Sequence, residues 1–391
     1  TITIRGADAT GSTAAEFNAI NSATSEAINA SVVTSISGTA ADIATLMSAA
    51  EQTAEFTATS FDLIAATDGL SITGTTIDVT DLNNAITRAN TTSNNTVLAA
   101  FASAQGDITV NDGTITEFES LLQLETESKI NITGLNLTTT TVNVTQANTL
   151  TGATTGTVTA TVNAGGVNAL TDLNADGDNN AALSITITDN SASAADLNTI
   201  NATTTVAVDA TAIATISSSS LTDISTLGAA ITAGSIAATT AIGSINVSGD
   251  AIDFTTLESE INRFDAFRID PAIATFNLAA TTTVTLGTQD EVTAFIADVA
   301  AGLVSVTGAS QAVTVTPSGS GGVDISHTDA IALAAAAGGT VTATIVNTTT
   351  VAQLATLYDA GETNAYTITI RGADATGSTA AEFNAINSAT S

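Results

Sequence analysis

The sequence predicts an α/β or mainly-β solenoid, in which coils of parallel strands and short amphipathic helices stack into an extended repeat protein. Stretches of Val or Ile alternating with Thr are followed by helix-like stripes, and this unit returns at intervals of roughly 20 to 35 residues. The chain is 44% hydrophobic but only 3% aromatic, so a narrow interior of Ala, Val, Ile and Leu is expected. One or two compact β-sandwich domains are the alternative fold.

The segment SVVTSISGTAADIATLMSAAEQ, residues 31–52, shows the unit clearly. Residues 33–37 alternate from one face to the other, as the residues of a strand do. Thr39 is placed to cap a helix, and apolar residues at positions i, i+3, i+4 and i+7 then form one helical face. That face consists of Ile43, Leu46, Met47 and Ala50.

The same pattern predicts four further helices. Their stripes are Ile115, Phe118, Leu121 and Leu122; Phe254, Leu257, Ile261 and Phe264; Val292, Phe295, Ile296 and Val299; and Val351, Leu354, Leu357 and Tyr358. Asp290 is expected to cap the third of these helices, and Gly302 and Gly361 to end the third and the fourth. Residues 138–145, 156–166 and 184–189 alternate at period two and are predicted as strands without a following helix.

A much longer period is also present. The segment TITIRGADATGSTAAEFNAINSATS occupies residues 1–25 and returns unchanged at residues 367–391. We therefore expect residues 1–366 to form one long repeat period of about a dozen strand–helix coils, with residues 367–391 as the start of the next identical period. On this interpretation neither end is a natural terminus. A covalent tandem array and separate subunits joined end to end both remain open.

Composition excludes several classes of function. The formal net charge is −32, with only six Lys and Arg residues against 38 Asp and Glu residues. Binding of nucleic acid or of an anionic membrane surface requires basic side chains, so neither is expected. The absence of Cys excludes disulfides, thiol catalysis and Cys-based zinc sites. No apolar run is long enough to predict a membrane span.

The best metal candidate is the segment TDLNADGDNNAAL, residues 171–183. Its oxygen-bearing residues stand at alternate positions around a glycine turn, as they do at the start of a calcium loop. The candidate ligands are Asp172, Asn174, Asp176 and Asp178. Position 12 of the loop is Leu183 rather than the usual bidentate Glu, so an ordinary exposed turn is the alternative interpretation.

The sequence predicts no catalytic site. His327 is the only histidine, and two aspartates beside it, Asp324 and Asp329, are expected in any acidic loop. The carboxylate pairs at residues 117 and 119 and at residues 258 and 260 alternate with apolar helix positions. They are predicted to form a solvated face rather than an acid–base pair.

Units such as GTAADIATL, residues 38–46, are rich in Thr, Ala, Asn and Asp and contain no Cys. In this style the chain resembles giant repetitive bacterial extracellular surface proteins, which include secreted adhesins and surface-layer-like proteins. The resemblance implies an extracellular or cell-surface location, frequent dependence on Ca²⁺ and a mechanical or adhesive role. It supplies no site motif, and therefore no residue role is transferred.

The expected function is that of a structural, non-catalytic repeat segment of an extracellular filament or surface appendage. Stabilisation by Ca²⁺ is a further expectation. Its main partner would be itself, through tandem continuation, end-to-end assembly or lateral contacts between fibres. An adhesin stalk, or a Thr-rich solenoid that binds a ligand or ice, is the alternative. A β-helical polysaccharide lyase is disfavoured because acidic sugars require a basic groove, which six scattered basic residues do not provide.

Overall fold

The computed structural model describes residues 1–5, 12–52, 55–57, 61, 63, 69–92, 97–174, 181–238, 242–249, 251–266, 274–306, 312–357 and 364–390. The chain divides into two compact units. The first contains Thr1–Thr186 and Ala202–Val208, and the second contains Ile187–Asn201 and Asp209–Ser391. Both units mix helices with sheets of parallel strands, so the α/β character predicted from the sequence is confirmed.

The first unit alternates strands with short helices along the chain. Its strands are β1 (Ile2–Thr3), β2 (Ile28–Asn29), β3 (Ile36–Gly38), β4 (Leu70–Ile72), β5 (Thr76–Asp78), β6 (Ala99–Phe101), β7 (Thr109–Gly113), β8 (Asn136–Val142), β9 (Val158–Val162) and β10 (Ala181–Ser184). Its helices are α1 (Ala14–Ser22), α2 (Ala40–Ala50), α3 (Val79–Thr92), α4 (Ile115–Thr126), α5 (Val144–Ala153) and α6 (Val167–Leu170). The sheets have the orders β1-β2, β3-β4-β6 and β10-β9-β8-β7-β5.

The second unit continues the alternation. Its strands are β11 (Ser191–Ala192), β12 (Val208–Ala210, which starts at the unit boundary), β13 (Thr215–Ser220), β14 (Ile236–Ala238), β15 (Ser244–Ser248), β16 (Ala251–Asp253), β17 (Thr275–Leu278), β18 (Thr283–Leu286), β19 (Val304–Val306), β20 (Ala312–Val315), β21 (Val341–Thr344) and β22 (Ala365–Thr367). Its helices are α7 (Ala194–Asn201), α8 (Leu221–Ala233), α9 (Phe254–Ala266), α10 (Gln289–Ala301), α11 (His327–Ala337), α12 (Val351–Leu354) and α13 (Ala380–Ser388). The two larger sheets have the orders β11-β13-β15-β17-β19 and β16-β18-β20-β21-β22.

Within these sheets, each strand pairs in parallel with a strand of the next strand–helix repeat along the chain. In the first unit Ile36 lies opposite Leu70, and Leu137 lies opposite Val158, so the paired positions are 34 and 21 residues apart. In the second unit Thr283 lies opposite Ala312, 29 residues further on. The variable spacing follows from the different lengths of the helices and loops between strands, while the parallel pairing is maintained.

Alternation along the strands determines which side chains enter the core. In β9 the buried residues are Val158, Ala160 and Val162, whereas Thr159 and Thr161 between them are exposed. The helices cover the strands with their apolar stripes, and the contacts are close. A Cβ atom at Gly113 in β7 would lie only 1.9 Å from a methyl carbon of Val79 at the start of α3, so no larger residue fits there.

Predicted helix boundaries are confirmed where a stripe and a cap coincide. Thr39 accepts a hydrogen bond from the backbone N–H of Asp42 and starts α2. Gly302 ends α10 with φ +77°, a left-handed conformation that favours glycine. The predicted cap Asp290 is wrong: the hydroxyl of Thr288 caps α10 instead, and Asp290 lies in the first turn.

Two predictions of strands without helices are wrong. β8 ends at Val142 and the chain enters α5 at once, because Asn143 and Gln146 form a reciprocal capping box. The segment at 156–166 contains β9 and leads into the four-residue helix α6. Both helices bury few large side chains, so their stripes are weak in the sequence. In the third segment, 184–189, the regular strand β10 has already ended at Ser184.

The helix predicted from the apolar stripe Val351 to Tyr358 is shorter than that stripe. Val351 and Leu354 are buried in α12, and Leu357 is buried in the 3₁₀ turn that follows. The predicted stripe residue Tyr358 and the predicted stop Gly361 lie outside the described residues. Among the helices that the structure describes, none has the length and apolar content needed to cross a membrane.

Candidate assembly and binding surfaces

Acidic side chains occupy the first turn of most helices, and this use accounts for part of the large negative charge. They are Glu16, Asp42, Asp81, Glu117, Asp196, Asp223, Asp290, Glu291, Asp329 and Glu382. Carboxylates are favourable there because the helix dipole and the free N–H groups are positive at that end. In α4 the carboxylate of Glu117 accepts from the Thr80 hydroxyl and from Thr114, and these hydrogen bonds hold the Glu117 pKa below its ordinary value.

Neighbouring helix N-termini are linked to each other through these side chains. The Thr80 hydroxyl of α3 donates to Glu117 of α4 at 2.6 Å, and the Thr255 hydroxyl of α9 donates to Glu291 of α10 at 2.8 Å. These half-buried carboxylates accept hydrogen bonds from neighbouring donors, which fixes the helix ends.

Asparagines form a second set of links between helices. In four helices the fifth residue is an asparagine whose side-chain N–H₂ donates to a backbone carbonyl further along the chain, at 2.7 to 3.0 Å. The pairs are Asn18 with Asp42, Asn83 with Glu117, Asn148 with Asp172, and Asn198 with Asp223. These links were not predicted from the sequence. The signal was the asparagine at a fixed distance after the cap, as in EFN, DLN and QAN.

The structure gives only a partial view of the predicted calcium loop. The Asp172 carbonyl accepts from the Asn148 side chain at 2.9 Å, and the Asn174 backbone N–H donates to the same side chain at 2.8 Å. Asp176 and Asp178 lie outside the described residues. Among the residues that are described, no group of three or more His, Asp or Glu side chains is placed to hold a metal ion.

His327 is the first residue of α11, and the two aspartates near it in sequence have local structural roles. Asp324 accepts from the backbone and hydroxyl of Ser318. Asp329 accepts from the hydroxyl of Ser326, which caps α11. Both aspartates therefore stabilise local backbone structure, Asp324 in a turn and Asp329 at the start of α11.

The prediction that residues 258 and 260 form a solvated carboxylate face is wrong for Glu260. Its side chain is only 2% exposed and accepts from the Arg263 guanidinium at 2.9 Å. Arg263 also donates to the backbone carbonyl of Ser225 in α8 at 3.0 Å. A Cβ atom at Gly228 would lie 2.8 Å from the Arg263 side chain, so the glycine lets the arginine lie against α8. Helical periodicity placed Glu260 outside the stripe, but the neighbouring helix covers it.

Asp298 in α10 is a second carboxylate that is partly buried. Burial and the nearby negative charge of Glu258 raise the pKa of Asp298 above its ordinary value. One of its oxygens is buried without a hydrogen-bond partner among the described residues. Desolvation disfavours the charged form of the carboxyl group, and the negative charge of Glu258 adds to this effect.

A row of threonines lies on the outer face of the sheet β16-β18-β20-β21-β22. Thr285 in β18 lies opposite Thr314 in β20, and Thr314 lies opposite Thr342 in β21. These positions alternate with buried apolar residues, and their own side chains are exposed or half-buried. The row is in register although the three threonines are 29 and 28 residues apart.

The two copies of the duplicated segment form the same helix. Thr13 and Thr379 have nearly the same backbone angles, φ −96° and ψ 160° against φ −95° and ψ 157°. Each makes a reciprocal capping box with the glutamate three residues on. In both copies the backbone and hydroxyl of the threonine hold the pKa of Glu16 or Glu382 below its ordinary value.

The two copies bury different side chains of the same helix. In the first copy Phe17 is 1% exposed and contacts Phe61 edge to face at 5.4 Å, whereas Ile20 is 36% exposed. In the second copy Phe383 is 39% exposed, whereas Ile386 is 7% exposed. The first copy therefore packs against residues that follow it in the chain, and the second copy packs against residues that precede it.

Comparison of the chain with known protein families, curated proteins and solved structures gives no match.

Proposed function

We propose that the chain is a structural, non-catalytic repeat segment of an extracellular filament or cell-surface appendage, built within each unit as a solenoid. The observation that carries this proposal is the sequential parallel pairing, in which each strand of the larger sheets is hydrogen-bonded to the strand of the next strand–helix unit. Such an arrangement can be extended by further units without changing the fold of those already present.

The asparagine links support a mechanical role. They tie α1 to α2, α3 to α4 and α7 to α8 through hydrogen bonds to backbone carbonyls, so an axial load is shared between sheet and helices. The identical segments at residues 1–25 and 367–391 support a repeat of 366 residues. The described carboxylates serve mainly as caps and ion-pair partners, which is consistent with a protein that holds shape rather than transforms a substrate.

The proposal is tested on the source material. The denatured mass of the native polypeptide is measured, and an antibody against this chain is used in immuno-electron microscopy. Labelling of extracellular filaments supports the proposal. A mass many times 38.6 kDa then indicates a covalent tandem array, and a mass near it indicates separate subunits. Labelling confined to the cell interior contradicts the proposal.

Calcium stabilisation is a further part of the proposal. Asn148 holds Asp172 and Asn174 at one place through two hydrogen bonds, and oxygen atoms are the ligands that Ca²⁺ prefers. A rise in melting temperature with Ca²⁺ over EDTA, lost in Asp172→Asn, supports a site in this loop. An equal rise with Mg²⁺, or an unchanged melting temperature, contradicts it.

The threonine row favours a second candidate, a binding face for an ordered ligand such as ice. Thr285, Thr314 and Thr342 lie on adjacent strands of one sheet, so their hydroxyl and methyl groups repeat at about 4.8 Å. Measurement of freezing hysteresis tests this candidate. Activity that is lost in Thr314→Asp would support it, and absence of hysteresis in the wild-type chain would remove it.

A further inference from the structure

A polar groove with a volume of about 480 Å³ lies along α2 of the first unit, between α1 and α3. Its floor consists of small side chains that recur at helical spacing on one face of α2, namely Ala41, Ala44, Thr45 and Ser48. Longer side chains of the two neighbouring helices form its walls, such as Asn21 of α1 and Arg88 of α3. The groove exists because the middle helix carries smaller outward side chains than the helices beside it.

Asp81, on the α3 wall of this groove, lacks a contact that most first-turn carboxylates have. In seven of the described helices the capping Ser or Thr donates its hydroxyl to the carboxylate three residues on, as Thr39 does to Asp42 at 2.8 Å. The residue before α3 is Asp78 instead, and an ionised carboxylate has no hydrogen to donate. Asp78 accepts from the backbone N–H groups of Thr80 and Asp81, at 2.8 and 3.1 Å.

The Asp81 carboxylate is therefore left without compensation. It is half-buried and accepts no hydrogen bond from any residue that the structure describes. Burial, together with the negative charge of Asp78, raises the pKa of Asp81 above its ordinary value. A bound group that brought a positive charge and an N–H donor would offset both effects.

Neutral polar groups lie in the same groove. The side chains of Ser48, Gln52 and Asn84 line it, and within the described part of the chain they make no hydrogen bond. Hydroxyl and amide groups can donate as well as accept, which is also the capacity of a sugar hydroxyl. On the opposite wall the amides of Asn18 and Asn21 are already used in links within the protein.

We propose that this groove binds an amino sugar within a short oligosaccharide, with the ammonium group on Asp81 and hydroxyl groups on Ser48, Gln52 and Asn84. The floor from Ala41 to Gln52 is roughly 16 Å long at 1.5 Å per helical residue, so the ligand extends over more than one sugar ring. The net charge of −32 favours a cationic ligand and disfavours an acidic sugar. This binding activity goes beyond the filament role and does not depend on it.

The adjoining groove over α3 and α4, with a volume of about 450 Å³, provides a contrast within the same unit. Both carboxylates that line it already have partners. Glu51 is paired with Arg88, and Glu117 accepts from Thr80 and Thr114. The groove along α2 is therefore the better site for an ammonium group.

The proposal is tested by titration calorimetry of the full chain with a β-1,4-linked tetramer of glucosamine. The salt concentration is about 0.15 M, so that attraction by distant exposed charges is largely screened. The tetramer of N-acetylglucosamine is the matched ligand, because it keeps the hydroxyl groups and lacks the charge. We expect the charged tetramer to bind at least about tenfold more tightly, as a hydrogen bond between charged groups predicts. Absence of binding, or equal binding of the two tetramers, would overturn the proposal.

A matched pair of variants separates the groove from the general acidity of the chain. Asp81→Asn and Asp290→Asn each remove one negative charge from the first turn of a helix. Asp81→Asn should weaken binding of the glucosamine tetramer about tenfold, and Asp290→Asn should leave it within about twofold of the wild type. Equal losses in the two variants would show diffuse attraction to the net charge, and the proposed site would be rejected.

A second pair tests the shape of the groove. Ala41→Leu places a larger side chain on the floor, and Ala195→Leu makes the same change in the same Ala-Ala-Asp sequence at the start of α7. Both alanines are exposed, so both variants should fold, which circular dichroism checks. Ala41→Leu should weaken binding at least about tenfold, whereas Ala195→Leu should bind as the wild type does. A folded Ala41→Leu variant with wild-type affinity would contradict the proposal.

Discussion

Replacement of Phe17 and Phe383 by alanine offers a controlled measure of how much the tertiary surroundings contribute to one helix. The two residues have identical neighbours over the whole 25-residue segment. They differ in exposure, 1% against 39%. Any difference between the two variants in the free energy of unfolding therefore reports the contacts beyond the segment rather than local helix propensity.

The size of the difference can be worked out from burial. A phenylalanine has roughly 200 Å² of accessible surface, so the additional burial of Phe17 is on the order of 75 Å², or about 2 kcal/mol at ~25 cal/mol per Å². The edge-to-face contact with Phe61 at 5.4 Å contributes about 1 kcal/mol more. We expect Phe17→Ala to cost about 3–5 kcal/mol, and Phe383→Ala to cost less by about 3 kcal/mol.

The assay is urea unfolding of the full-length variants followed by circular dichroism, combined with hydrogen–deuterium exchange of Ala40–Ala50 in α2. Protein is kept at roughly 1 µM so that self-association does not contribute to the measured stability. Phe17→Ala should raise exchange in α2, which packs against α1, and Phe383→Ala should leave it unchanged. Equal costs for the two variants, or unchanged α2 exchange in Phe17→Ala, would refute the reasoning.

Three further predictions concern the second unit. Asn198→Ala should cost about 1 kcal/mol in urea unfolding through loss of one side chain–backbone hydrogen bond, and no measurable change would contradict that role. Arg263→Ala should cost about 3 kcal/mol because it leaves the buried Glu260 carboxylate without its cation; Arg88→Ala, which removes a more exposed ion pair, should cost less than about 1 kcal/mol. The raised pKa of Asp298 makes its ionisation unfavourable in the folded state, so its contribution to stability falls as pH rises from the ordinary Asp pKa through the folded-state pKa. Asp298→Asn should therefore unfold at higher urea than the wild type at pH 7 and at the same urea near pH 3, and a stabilisation that is independent of pH would contradict this origin.

Local sequence was sufficient to place the helices whose stripes and caps agree. Phe254, Leu257, Ile261 and Phe264 recur at helical spacing, and all four are buried in α9. The interactions that decide such a helix lie within a few residues of each other, so they are readable from the sequence. α5 and α6 were not predicted because their stripes contain few large side chains. α5 packs against the neighbouring strands β8 and β9, and those contacts are not readable from its own sequence.

The links between helices were not readable in the same way. The Asn18 and Asn198 side chains reach backbone carbonyls 24 and 25 residues away, and such a pairing exists only when the strand register has placed the helices side by side. Glu260 illustrates the same limit. Its position relative to the stripe of α9 predicts exposure, but α8 covers it and supplies part of the surroundings of Arg263.

The duplicated segment separates the two contributions most clearly. The sequence by itself determined the helix: Thr13 and Thr379 form the same capping box, and the helix has the same length in both copies. Only the tertiary structure decided which side chain is buried: Phe17 in the first copy and Ile386 in the second. The physical reason is that caps and helical hydrogen bonds are completed within the segment, whereas burial of an apolar face requires partners that residues outside the segment must provide.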